Sequence, residues 1–220
     1  MSAVRTSSEE IRATLLASAK KLFLEKGIST VEMKAVAQEA GMSRSTLYRY
    51  MFDKSQLAFM VSTEVLAELF DKCLSATIVP DMSGYEKLEL FVRHTVQILC
   101  GNISLVNFIS EFDSLYKGEY PDIPEAREYS ESMRRTMHRA AQFIFEGLSD
   151  KSIQSIKDPI FFISLLINTI FGLAERLLPR AKHYVKEHGV QAEALITGSA
   201  DILLQSIRGN ETRGSLSADQ

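Results

Sequence analysis

The stretch Met33–Lys54, MKAVAQEAGMSRSTLYRYMFDK, decides how the chain is read. Taken as a helix, Met33 to Ala40 sets Val36, Ala37 and Ala40 on one apolar face. Gly41 follows, and glycine adopts positive φ without steric cost, so a tight turn is expected there. Met42 plugs that turn. Ser43 stands where the N-cap of a second short helix belongs, its hydroxyl placed to accept from the backbone N–H of Ser45 or Thr46. In this second helix Leu47, Tyr50 and Met51 face inward, which leaves Arg44, Ser45, Thr46, Tyr48 and Arg49 outside. The small side chain of Ala37 lets the two helices cross closely. Two short helices joined by a glycine-containing turn, the second opening on polar and basic residues, form the helix-turn-helix pattern that reads the DNA major groove.

Residues 45–57, STLYRYMFDKSQL, also resemble the TetR family, whose members show a pattern close to AxxAGVSxGTLYxYFxxKxxL. Gly41, Ser43, Thr46, Leu47, Tyr48, Tyr50, Lys54 and Leu57 fall on that pattern. Met42, Ser45 and Met51 depart from its Val, Gly and Phe, and Val31 stands where relatives often carry Thr. Just before it, Ser29 and Glu32 have the S-x-x-E spacing of a capping box. The resemblance covers about the first quarter of the chain; beyond Leu57 it is one of layout. It implies an all-α protein with a three-helix DNA-binding domain joined to a helical domain for ligand binding and dimerisation.

Within that expectation each exposed residue has a role. Arg44, at the start of the reading helix, can donate two parallel hydrogen bonds to guanine O6 and N7. Ser45 and Tyr48 share its face and reach base edges, and Ser43 and Arg49 flank them. By resemblance, Lys34 contacts a base or a phosphate, while Thr46, Tyr50 and Lys54 contact phosphates, which position a protein on DNA but read no sequence.

The rest of the chain supplies a body for this head. At 220 residues, 45% apolar and 24% charged, the composition is that of a soluble globular protein of one or two domains. Residues 1–54 carry 9 Lys+Arg against 6 Asp+Glu, a balance of +3, and the remainder carries −6. A basic head on an acidic body suits a protein that presents one end to DNA. The two cysteines, Cys73 and Cys100, are too few for a disulfide framework or metal cluster, which fits a cytoplasmic setting. The opening MSAVRTSSEE has no apolar run, so no signal peptide is expected.

Ser7-x-x-Glu10 predicts a capping box opening a helix that ends near Gly27. Residues 1–54 then form the DNA-binding domain and 55–77 a connecting helix, with Leu57, Val61, Val65, Leu69 and Cys73 on one stripe. A break at IVPDMSG (78–84) opens the helical body, 78–208, and the polar tail 209–220 is expected to be disordered. Helices are expected over Tyr85–Leu99, Ile103–Tyr116 capped by Asn102, Glu125–Leu148, from Pro159 onward, and Val190–Ile207.

Ile160–Leu178 approaches the length of a membrane span, but Asn168, Glu175 and Arg176 interrupt it and no basic flank precedes it. A helix apolar all round is instead buried on several sides. Ile163, Ile167, Ile170 and Ala174 are expected to pack on their own domain, and Phe161, Leu165 and Gly172 against a second subunit. The resemblance implies a four-helix bundle across a two-fold axis, built from the last two long helices of each subunit. A homodimer also doubles the reading helix, with half-sites ~34–36 Å apart or a multiple of that.

By the same resemblance the body holds a pocket for an unknown small-molecule effector. Its candidate lining is Phe91, His94, Thr95, Phe108, Glu111, Phe112, Tyr116, Met133, Met137, Phe143 and Asn168. Glu111, His94 and Asn168 are the informative ones, because polar groups on apolar faces need partners. No GxSxG, HExxH, Walker loop or GxGxxG is present, so neither an enzyme nor a bound cofactor or metal is expected. The function implied is a DNA-binding transcriptional repressor released from an inverted-repeat operator by its effector. The alternative is a DNA-binding regulator whose body takes a protein partner and no small molecule.

Overall fold

A computed structural model describes residues 7–51 and 53–209, and among them every regular element is helical. The head comprises α1 (Ser8–Lys26), α2 (Met33–Glu39) and α3 (Arg44–Tyr50). The body comprises α4 (Lys54–Ser75), α5 (Gly84–Gly101), α6 (Ile103–Leu115), α7 (Pro124–Asp150), α8 (Pro159–Leu177), α9 (Ala181–His188) and α10 (Ala192–Gln205).

Most helix starts follow from local chemistry. The Ser7 hydroxyl accepts from Glu10 N–H at 3.1 Å while the Glu10 carboxylate accepts from Ser7 N–H at 2.7 Å, a complete capping box. Asp53, Asn102 and Asp158 cap α4, α6 and α8 in the same way, each accepting a backbone N–H three residues on. Gly41 closes α2 at φ +65°, as the turn requires.

One expectation fails, and one element was not foreseen. Ser29 and Glu32 form no capping box: Glu32 is itself the N-cap of α2, without a side-chain cap bond, and Ser29 N–H is taken by a residue of the body. The short helix α9, with the 3₁₀ turn Leu178–Arg180 before it, also lay outside the expected elements. It contains no buried residue, so no apolar stripe announces it. The tail from 210 onward lies outside the described residues.

The head closes over Leu15, Ala19, Leu22 and Phe23 of α1, Val36 and Ala37 of α2, and Leu47 of α3, all buried. Full burial of such side chains stabilises by roughly 1.5–3 kcal/mol each before conformational entropy is counted. Lys20 of α1 bridges Glu64 and Glu68 of α4 at 2.9 and 2.5 Å, fastening head to connecting helix. In the body α7 packs along α4 and α5, and α8 lies between α7 and α10. The start of α5 touches the end of α7: a Cβ on Gly84 would stand 2.0 Å from Gly147 N, so glycine is needed for that crossing.

The stretch Pro159–His188 is long and apolar enough by composition to cross a bilayer. Within the fold, Ile163, Leu166, Ile167, Ile170 and Ala174 of α8 are buried against neighbouring helices. Phe161 and Leu165 of α8 and Ile202 of α10 stay exposed.

Candidate nucleic-acid interface and body cavity

The N-terminus of α3 is tied by a small hydroxyl network. Ser43 Oγ accepts from Thr46 N–H at 3.0 Å and lies 2.8 Å from both Ser45 Oγ and Thr46 Oγ1. Below it Leu47 and Met51 are buried, which fixes the rotation of the helix and leaves Arg44, Ser45, Tyr48 and Arg49 exposed. The Arg44 guanidinium sits over the Tyr48 ring, 5.5 Å from its centroid, so the two exposed side chains brace each other. Thr46 and Tyr50 are half-buried at the edges of this face, and Lys34 is exposed on α2. Donors, acceptors and a phenol on one helix face are the groups that base edges and phosphates require.

Lys54 is half-buried, and its ammonium donates to Ser29 O at 2.9 Å, which leaves further donors for a phosphate. Beside it, the carboxylate of Glu111 on α6 accepts from the backbone N–H of Ile28 at 2.6 Å and of Ser29 at 2.8 Å. Burial raises the Glu111 pKa, but hydrogen bonds from Ser29 and Ile28 and the charge of Lys54 outweigh it and hold the group below its ordinary value. Glu111 therefore faces the head rather than a ligand, which corrects its place among the expected pocket residues.

The body contains a cavity of about 430 Å³ between α4, α6, α7 and α8. Met133, Met137 and Asn168 line it, and the Asn168 amide donates to Ser164 O on its own helix at 2.8 Å. Other expected pocket residues lie elsewhere. Phe91, Thr95 and Phe108 are core, with Thr95 Oγ1 donating to Phe91 O at 2.9 Å. Phe112 and Tyr116 belong to an aromatic cluster around Phe59. Phe143 borders a separate surface opening beside Thr77, and His94 is half-buried on α5.

Among the cavity residues that escaped the sequence reading, three are ionisable: Asp113, Tyr129 and Glu175. Desolvation raises the Asp113 pKa although the side chain keeps access to water. Desolvation, then the charge of Asp113, pushes Glu175 up to about 7. Desolvation also raises Tyr129, with the charges of Tyr120, Asp113 and Glu175 adding to it. Glu175 carried a signal in the sequence, since it interrupts the apolar run of α8. A larger and more open groove of about 530 Å³ lies on the flank between α1, α4 and α7.

Residues 15–60 match the family described as bacterial regulatory proteins, tetR family. A curated relative, an HTH-type transcriptional regulator of Staphylococcus aureus strain USA300, is 29% identical over 106 residues, 48% of this chain and 57% of that protein. The chain thus spans little more than half the length of the curated relatives it matches. Among solved structures, a TetR-family transcriptional regulator from Mesorhizobium loti superposes with a TM-score of 0.68 at 19% identity, covering 92% of this chain and 96% of the other. FadR from Bacillus subtilis, solved in complex with stearoyl-CoA, superposes at 0.60 with 16% identity, covering 90% and 100%. These likenesses extend the shared fold over the whole body. Residues 15–60 thus carry the DNA-binding region of the tetR family of bacterial regulatory proteins, on a chain whose body shares the fold of TetR-family structures.

Proposed function

We propose that the chain is a sequence-specific DNA-binding transcriptional regulator that acts as a homodimer in the cytoplasm and performs no catalysis. In this reading it represses from an inverted-repeat operator and is released when a small molecule fills the body cavity. The observation that carries the first part is the exposed face of α3, with Arg44, Ser45 and Tyr48 held outward by the buried Leu47 and Met51. Lys34, Ser43, Thr46, Arg49, Tyr50 and Lys54 surround that face and supply the phosphate contacts.

The exposed Phe161, Leu165 and Ile202 support a dimer through α8 and α10. At Gly172 and Gly198 an added Cβ would meet nothing, so a second pair of helices has room to approach closely. The cavity favours a small-molecule effector over a protein partner, in keeping with the stearoyl-CoA held by FadR from Bacillus subtilis.

Helix α6 supplies the coupling. Ile109 and Asp113 line the cavity, while Glu111 between them holds the loop before α2. A ligand that displaces α6 shifts that anchor and changes the separation of the two reading helices. Linkage then requires DNA to weaken ligand binding by the same factor.

Selection of bound duplexes from random DNA at fixed, near-physiological salt tests the reading, with wild type beside an Arg44→Ala, Tyr48→Ala double variant. An inverted repeat enriched by the wild type alone is expected. Enrichment of the same duplexes by both proteins would refute the assignment of α3 as the reader.

A further inference from the structure

The cavity is walled mainly by carbon. Leu66 and Phe70 come from α4, Ile109 from α6, Met133 and Met137 from α7, and Ile167 and Phe171 from α8. The rings of Phe70 and Phe171 stack 5.9 Å apart at 20°. Into this apolar space the chain places two carboxylates, Asp113 and Glu175, and its lining holds no Lys, Arg or His. Neither carboxylate has a hydrogen bond or ion pair among the described residues. Tyr129 is 7% exposed, and its hydroxyl has no hydrogen-bond partner there either, although it lies within the electrostatic reach of both acids. The ring is buried while the hydroxyl is not sealed off, which leaves it able to take a partner in the cavity it lines.

We infer that the cavity selects a lipophilic cation, its charge set against Asp113 and Glu175, its apolar body against the Met and Phe walls, and a polar edge against the Tyr129 hydroxyl. This names the effector class of the proposed function and rests on the reading of the cavity as the effector site. A cation supplies the missing counter-charge beside the half-buried Glu175 and the water-exposed Asp113, and aromatic faces attract it further. A carboxylate or phosphate in the same place meets two like charges and no donor cation. The shift of Glu175 towards neutrality is what an acid without its counter-ion shows.

Calorimetric titration of the full, DNA-free chain at fixed ionic strength tests this with tetraphenylphosphonium, the near-isosteric tetraphenylborate, neutral triphenylphosphine oxide, and stearate. The wild type is expected to bind the phosphonium at least tenfold more tightly than any of the other three. An Asp113→Asn, Glu175→Gln double variant should lose at least tenfold on the phosphonium alone. The amides keep the volume and remove a repulsion, so the variant should melt no lower than the wild type. The comparison of the four probes on the wild type stands even if it does not.

Equal or tighter binding of the borate, the oxide or stearate would overturn the cation preference while leaving the cavity an effector site. Phosphonium binding undiminished in the folded double variant would also overturn the inference, because the cation would then sit elsewhere, as in the groove beside Glu64, Glu125 and Glu128. No binding of any probe would overturn both the inference and the cavity reading.

Discussion

The carboxylate of Glu111 lies 2.6 Å from the backbone nitrogen of Ile28, with its other oxygen 2.8 Å from that of Ser29. One side chain of the body thereby holds two backbone donors of the head. Glu111→Ala removes both acceptors and is expected to destabilise the protein by about 1.5–3 kcal/mol, the range for hydrogen bonds to a charged group. Because the folded pKa is depressed, this contribution is present above the ordinary carboxylate range and is lost as pH falls through the lower folded value. Denaturant unfolding of wild type and variant at several pH values reads it. A difference between the two that stays constant from pH 7 down to acid unfolding would contradict the assignment.

Gly27 stands directly beneath this contact. Its φ is +85°, and an added Cβ would lie 2.7 Å from Glu111 Oε2. Gly27→Ala therefore combines backbone strain with a displaced carboxylate. A loss of at least about 1 kcal/mol is expected, or roughly 2–4 °C in melting temperature for a chain of this size. Calorimetry decides it, and an unchanged melting temperature would contradict the geometry.

Glu175 has the opposite sign. Its folded pKa, raised to about 7, lies above the ordinary carboxylate value, so the folded state binds the extra proton between them. Stability should fall as pH rises through that window, with the full cost in place above about 7. Glu175→Gln should flatten this fall. Melting temperatures from pH 4.5 to 8 provide the test, and parallel profiles for both proteins would argue against a desolvated Glu175.

The face proposed for dimerisation carries Phe161 and Leu165, exposed on a helix already apolar on its other side. Ile202, 69% exposed on α10, extends the patch. Ile202→Asp is expected to convert dimer to monomer at micromolar concentration without unfolding the chain, as its own core contacts are few. Light scattering with far-UV circular dichroism separates the two effects.

What could be read in advance follows the range of the interactions. Caps and apolar stripes act within a turn or two, so Ser7, Ser43, Asn102 and the helices they open were visible in the sequence. The α3 face was visible too, since Leu47 and Met51 fix which side is buried. Glu111 was misread because its partners are more than eighty residues away, in a loop whose own S-x-x-E pattern suggested a local cap. Asp113 and Tyr129 were missed because their meaning arises only where four helices converge.

The most direct test of the central claim is a fluorescence-anisotropy titration of wild type and Arg44→Ala, at one salt concentration, against the selected inverted repeat and a scrambled duplex. A loss of about 1–3 kcal/mol on the selected site, with little change on the scrambled one, is expected for a side chain that reads a base. Equal losses on both duplexes would mean that Arg44 meets only phosphate and would contradict its assignment as a base reader.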